Sequence, residues 1–339
     1  MPEMQLPGNL QLVSRGGTFM MSRPDFLYKQ IIFYSVTEKE KLAFRADNLI
    51  ITDSQNQVKL QHSCHKTFAL FISGNITLTN IILKKSKQFG FPIFLLNSNF
   101  HLDTVIGNSA EGNTLLRKKQ YCDDQLAPRI ARQLISQKIR NQAALLLKNR
   151  PPSRWDKIAA AVLNDLADSL PVGRDILMGK EGAASKLFFK VYFKNLNWKR
   201  RAPRCKEDIS NLLLDIGYTY LFNFMECLLA LYGFDLFCGV HHTFFYHRKS
   251  LVCDFIEPFR CIIDHRLRKA YALSQISSDD FFFDRDHWEL KYNRQAHYVR
   301  LFMKDILEYK EQMFLYVRNF YLWYMKDEPD IRQFPVFKI

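Results

Sequence analysis

The sequence predicts an α+β protein of two domains, a small N-terminal β domain followed by a larger all-α domain. Three observations carry that prediction. β-Branched and aromatic runs fill residues 26–107; long stretches without glycine or proline fill most of the rest; and 339 residues at 47% apolar content are enough for two separate cores.

Residues 30–36, 42–44, 48–52, 68–72 and 91–96 read as strands, punctuated by turns at Gly74-Asn75 and at residues 97–99. One short helix is expected over 79–89, stopped by Gly90. The β domain then covers 22–107 and the helical domain 108–339, with a hinge at Asn108-Ser109. Residues 1–21 mix proline, glycine and polar residues and read as a flexible extension or a misassigned start. Within the β domain His62, Cys64 and His65 stand close together, and a polar strand edge accounts for them. The expected task of this domain is assembly.

Beyond the hinge, helices are expected over 111–119, 126–148 and 158–170, with Pro151-Pro152 closing the second, and then over a stretch that carries Glu181. The first two are rich in Arg and Lys, Lys138 among them, and read as solvated basic faces. Residues 208–231 form the most apolar helix. Asn223 and Glu226 inside it mark a buried core helix rather than a membrane span, so no membrane partner is expected. From Arg294 to Lys326 there is neither glycine nor proline, and Val299, Phe302, Ile306, Met313, Val317, Phe320 and Tyr324 recur at helical spacing as a core stripe.

Forty-eight Lys and Arg against 34 Asp and Glu give a formal charge of +14, which points to a polyanionic partner. Seven scattered cysteines without a Cys-x-x-Cys pair fit a reducing, cytoplasmic setting better than a disulfide framework. Cys238, His241, His242 and Cys253 match no common zinc spacing. Residues 197–206 hold five cations, Lys199, Arg200, Arg201, Arg204 and Lys206, beside Trp198. Such a loop suits contact with DNA phosphates, while Trp198 either stacks on an unpaired base or plugs the core.

Residues 239–260 pack the candidate ligands: Gly239-Val240-His241-His242, then Ser250-Leu251-Val252-Cys253-Asp254-Phe255-Ile256-Glu257-Pro258-Phe259-Arg260. Asp254 and Glu257 are three apart and share one side of a helical segment, with His242 supplied by the preceding loop. Imidazole with carboxylate oxygens suits Mg²⁺ or Mn²⁺. Further back, Glu181 stands beside Gly182-Ala183-Ala184-Ser185, small residues that let another segment approach the acid. Pro258, which lacks an amide hydrogen, fits a first helical turn and puts Glu257 at a helix start, stiffly held. Asp254 then caps that helix, binds a second ion or orients His242.

In order, Glu181 with its small neighbours, Asp208-x-x-Asn211-x-Leu213-x3-Gly217-Tyr218, Gly239-x-x-His242 and Ser250-Leu251-x-x-Asp254-x-x-Glu257-x-Phe259-Arg260 form a signature. It resembles the CRISPR-associated protein one family, the integrase and endonuclease of spacer acquisition, over most of the chain from Phe26 onwards. The resemblance implies a metal held by Glu181, His242 and Glu257, with Asp254, Tyr218 and Arg260 in support. The family spacing of twelve and fifteen residues from the histidine to the two acids reaches His242, although many members carry Gly-Phe-Leu-His where this chain has Gly-Val-His241-His242. It further implies pairing of two protomers through the β domain, double-stranded DNA as substrate, and CRISPR-associated protein two as companion. The expected chemistry is metal-assisted attack on a DNA phosphodiester, by water or by a 3′-hydroxyl. The alternative from another class is a basic nucleic-acid-binding scaffold without chemistry.

Overall fold

The computed structural model describes residues 28–36, 39–97, 102–107, 112–148, 151–196, 198–242 and 245–339. The extension expected over 1–21, the hinge at Asn108-Ser109 and residues 98–99 of the expected turn lie outside the described residues. Two compact units emerge. One holds the described residues up to Leu95 together with Thr104–Gly112, the other Leu96–Asp103 together with Asn113–Ile339.

The first unit is built on β1 (Gln30–Ser35), β2 (Lys41–Arg45), β3 (Asn48–Thr52), β4 (Val58–Ser63), β5 (Thr67–Ser73), β6 (Ile93–Leu96), β7 (Leu102–Ile106) and one helix, α1 (Asn80–Phe89). A four-stranded sheet runs in the order β1-β5-β6-β7 and a three-stranded one in the order β2-β3-β4. β1 and β5 are parallel, with Ile32 opposite Leu70, and every residue of β5 is buried, as a strand covered on both faces requires. Leu42, Leu49, Ile51, Leu70, Ile72, Ile82, Phe91 and Ile93 form the core. Gly90 ends α1 in the left-handed region, φ 68°. β4 reads Val-Lys-Leu-Gln-His-Ser and is largely exposed, so nothing in its composition separates it from a loop.

The second unit contains α2 (Thr114–Cys122), α3 (Ala127–Leu147), α4 (Arg154–Asp168), α5 (Arg174–Tyr192), α6 (Ile209–Leu231), α7 (Ser250–Phe255), a 3₁₀ turn (Glu257–Phe259), α8 (Arg260–Ala272), α9 (Gln295–Glu308) and α10 (Lys310–Tyr324). Helix starts follow local chemistry. Ser153 and Asp156 form a capping box on α4, and the Asp208 carboxylate accepts from the Asn211 amide at the start of α6. α6 is long and apolar enough to cross a membrane by composition, yet 78% of its apolar window is buried inside the unit. The stripe from 294 to 326 is two helices broken at Tyr309, without a glycine or proline to mark the break. A hairpin also interrupts the helices: β8 (Phe281–Asp284) pairs with β9 (His287–Leu290) through Arg285 and Asp286, both at positive φ. That turn type ordinarily carries Asn-Gly or Asp-Gly, so the sequence gives no hairpin signal there.

Candidate active site

The loop at 239–242 is held by one buried carboxylate. Asp254, 1% exposed near the end of α7, accepts from the amides of Val240 (2.6 Å), His241 (3.0 Å) and His242 (3.0 Å) and from Nδ1 of His242 (2.6 Å). Of the three roles open to Asp254, orienting His242 is the one this geometry supplies. Its acceptor oxygens fix the tautomer with the proton on Nδ1 and leave Nε2 as the nitrogen available to a ligand. Gly239 has no alternative here. A Cβ at that position would stand 2.6 Å from Ser250 Cβ and 2.9 Å from Asp254 Oδ2.

Glu257 opens the 3₁₀ turn with Pro258 behind it, so the proline's missing amide leaves no donor unpaired. Its carboxylate is 2% exposed: Oε1 accepts from Arg260 Nε at 2.9 Å, and the Lys138 ammonium lies 2.7 Å from Oε2 without hydrogen-bond alignment. Glu181, on α5, accepts from Lys138 Nζ at 2.5 Å and pairs with His241 Nε2 at 2.9 Å. Burial alone would depress the Lys138 ammonium, but Glu257 and Glu181 outweigh it and hold it above the ordinary lysine value. Burial would likewise raise Glu181; Lys138 and His241 instead keep it well below the usual carboxylate range. The reading of Lys138 as part of a solvated basic face is corrected, since it is 8% exposed and faces two acids.

Glu181, His242 and Glu257 line one cavity of about 690 Å³, together with Lys138, Arg201, Arg204, Tyr218, Arg260 and Asp264. The donor set fits a divalent cation: two carboxylates, an oriented imidazole, and a buried Glu257 oxygen that makes no hydrogen bond. The three side chains do not yet close on one point, for among the described residues no three His, Cys, Asp or Glu groups are gathered tightly enough to hold a metal. The ammonium of Lys138 occupies the place between the acids.

Tyr218 donates to Asp264 at 2.5 Å, while Arg260 lies over its ring at 4.5 Å and Arg201 at 5.6 Å. Two turns of α6 and α8 meet at Gly217, where a Cβ would stand 2.5 Å from Ile263 Cγ2, so only glycine lets Tyr218 come this close to Asp264. Burial pushes the Asp264 carboxyl up to about 7, against the opposing pull of Tyr218 and Arg260. A carboxyl raised in the fold keeps its proton after the unfolded chain has released it. Its stabilisation is therefore complete below the ordinary value of 3.8 and is lost as pH rises towards 7. Glu181 runs the other way, its contribution present above 4.5 and lost as pH falls. Asp264→Asn is expected to remove a decline in stability on the order of 3–4 kcal/mol between about pH 4 and 7. Urea denaturation of both proteins across that range checks it; a wild-type-minus-variant difference that is flat with pH counts against it.

The basic loop is not a free tether. Arg200 pairs with Glu207 at 3.1 Å, and Arg201 is held by Asp215 and by Asn211 Oδ1 (2.8 Å). Asn211, fully buried, also accepts from the Ala202 amide and donates to the Arg200 carbonyl and the Asp208 carboxylate. Trp198 stacks on Phe189 and Phe193, with centroids 5.4 and 5.0 Å away, so its ring packs against the end of α5. Arg204 faces the cavity and Lys199 lies at the outer edge of the loop. Three residues missed from the sequence belong with this site, Asp264 beneath Tyr218 and two on α3. Lys138 falls on the stripe of α3 that buries Ala131, Leu134, Ile135 and Leu145, and a cation at that spacing was the available signal. Gln142, one turn further, lines the same cavity.

The model of the family described as CRISPR associated protein Cas1 matches residues 33–304. Among relatives, the CRISPR-associated endonuclease Cas1 1 of Thermodesulfovibrio yellowstonii is 29% identical over 229 residues, taking in 63% of this chain and 72% of that protein. Among solved structures, a chain of a partial Cas6-RT-Cas1–Cas2 complex superposes with a TM-score of 0.72 at 19% identity, covering 91% of this chain and 99% of that one. A casposase bound to integration product gives 0.68 at 19%, covering 91% and 94%. At those identities the structural likeness is one of fold. The family match spans most of the length and includes every element that lines the cavity, and the chain belongs to the Cas1 family of CRISPR-associated proteins.

Proposed function

We propose that this protein is a divalent-metal-dependent DNA endonuclease and integrase of CRISPR spacer acquisition, cutting phosphodiesters and joining the 3′-hydroxyl of a short captured DNA to the repeat array. The observation that carries the reading is a single cavity holding Glu181, His242 and Glu257 beside Arg201, Arg204 and Arg260, cation ligands next to phosphate-binding guanidiniums. Glu181, Glu257 and Nε2 of His242 would hold Mg²⁺ or Mn²⁺, which when bound polarises the scissile phosphate and offsets its developing charge. Asp254 keeps the imidazole lone pair aimed into the cavity. Arg260, fixed between Glu257 and the Tyr218 ring, presents its remaining donors to a phosphate oxygen. Arg204 and Lys199 steer the duplex towards it. Water as the attacking oxygen gives hydrolysis and a DNA 3′-hydroxyl gives strand transfer.

The name of the Thermodesulfovibrio relative and the integration product held by the casposase support these two reactions. The Cas1–Cas2 assembly among the structural neighbours supports Cas2 as companion, and the sheet-bearing unit, which contributes no residue to the cavity, is the part suited to pairing two protomers. The test is an assay with labelled duplex and a repeat-bearing plasmid, with Cas2 present, in Mn²⁺, Mg²⁺ or EDTA. Nicking and joining are expected with either metal and absent in EDTA, whereas DNA binding persists in EDTA and falls steeply with salt. Removing Lys199 and Arg204 together should lower the salt slope by about two. Product in EDTA, or binding with no product in either metal, would sink the reading, the second outcome in favour of a scaffold.

A further inference from the structure

The two carboxylates assigned to the metal already share a cation. Lys138 Nζ lies 2.5 Å from Glu181 Oε1 and 2.7 Å from Glu257 Oε2. The other oxygen of each acid is committed elsewhere, Glu181 Oε2 to His241 Nε2 at 2.9 Å and Glu257 Oε1 to Arg260 Nε at 2.9 Å. The oxygens left for a metal are thus the two that the ammonium touches. Two carboxylates facing one another, one buried and one partly buried, repel unless a positive charge stands between them, and a single lysine charge does this less completely than a divalent ion.

The backbone beneath Lys138 is fixed. Its neighbour Gln137 exchanges hydrogen bonds with Pro335 and Phe337, and Asn141 donates to the carbonyls of Pro258 and Phe337, so α3 is fastened on the side that faces Glu257. Only the side chain is left to move. Gln142 lies four residues on, where a helical side chain leans back over position 138, and its Oε1 is buried in the same cavity without a hydrogen-bond partner. That orphaned acceptor is a place for a displaced ammonium.

We propose that Lys138 is a resident counter-ion: it partly offsets the charge of Glu181 and Glu257 in the metal-free protein, competes directly with the divalent ion, and swings to Gln142 when the ion enters. The proton stays on nitrogen throughout. This inference rests on the cavity being the metal site, and the test separates the two. Mn²⁺ binding is measured by calorimetry on the full chain as wild type, K138M, K138Q and E257Q, with thermal midpoints recorded with and without Mn²⁺. K138Q keeps a hydrogen-bond donor for the acids, so the comparison survives if K138M does not fold.

Both Lys138 variants are expected to bind Mn²⁺ about tenfold tighter than wild type, to melt lower without metal, and to gain more from its addition. E257Q is expected to lose binding. Wild-type or weaker affinity in the Lys138 variants, with binding still lost in E257Q, overturns the counter-ion role and leaves the metal site standing. Equal binding by E257Q and wild type places the ion elsewhere and overturns both.

Discussion

Glu257→Gln is expected to abolish metal-dependent cleavage and strand transfer, a loss of about three orders of magnitude or more, while DNA binding and the fold survive. The substitution keeps the volume and removes the charge that would offset a divalent ion. It also changes the local pairing. One oxygen accepts from Arg260 and the other faces Lys138, so the new amide must turn its NH₂ towards one cation or the other. A donor set against a donor in a buried site costs about 1–3 kcal/mol, enough to lower the melting point but not to unfold a chain with two full cores. Rates are to be measured over a Mn²⁺ titration beside a melting curve. Near-wild-type cleavage by Glu257→Gln would mean the register of the ligands is wrong, and His241 would then be tested in place of His242.

Asp254→Asn is expected to act by a different route, through stability first and catalysis second. Four donors converge on this carboxylate, three of them backbone amides of consecutive residues. An asparagine carbonyl can serve only part of that set, and its NH₂ is forced against the rest. Each such donor left unpaired in the interior costs about 1–3 kcal/mol. The loop then loses its anchor and His242 its orientation, which in metal sites lowers affinity or turnover about 10–100-fold. Folded Asp254→Asn should therefore retain activity that rises with Mn²⁺ concentration, unlike Glu257→Gln. Gly239→Ala, which drives a Cβ against the same carboxylate, should reproduce both effects. A variant of Asp254 that melts like wild type and is dead at every Mn²⁺ concentration would instead make Asp254 a ligand in its own right.

Much of the candidate site's local geometry was legible because its motif residues have local tasks. Asp208 caps a helix, Asn211 fastens the preceding loop, Gly217 permits a close crossing of helices, and Tyr218 reaches a buried acid. Each task demands one residue type at one spacing, and such demands survive in sequence. The two-domain order and most helices were legible for the same reason, from periodicity and caps. Lys138 was not, because a lysine amid many arginines and lysines reads as solvated until the helix phase is fixed by its neighbours. The pairing of His241 with Glu181 was hidden as well: the two are sixty residues apart in sequence and only the tertiary fold joins them. Trp198 was ambiguous in principle, since an aromatic ring that stacks on a base and one that stacks on phenylalanines have the same composition around them. β4 and the β8–β9 hairpin escaped because their signals are faint, an exposed mixed strand in one case and a turn without glycine in the other.

The Asn211 side chain accepts two hydrogen bonds and donates two, and on the proposed function this network bears on the thermodynamics of DNA capture. A loose loop closing on a duplex must freeze its backbone at that moment, at about 1–2 kcal/mol for every residue ordered. Residues 200–208 are already tied down by Asn211, by the Asp215 carboxylate and by the bond from the Trp288 amide to the Lys206 carbonyl. That entropy is spent during folding, not during association. On the proposed function, docking on a duplex then has little further loop backbone to order.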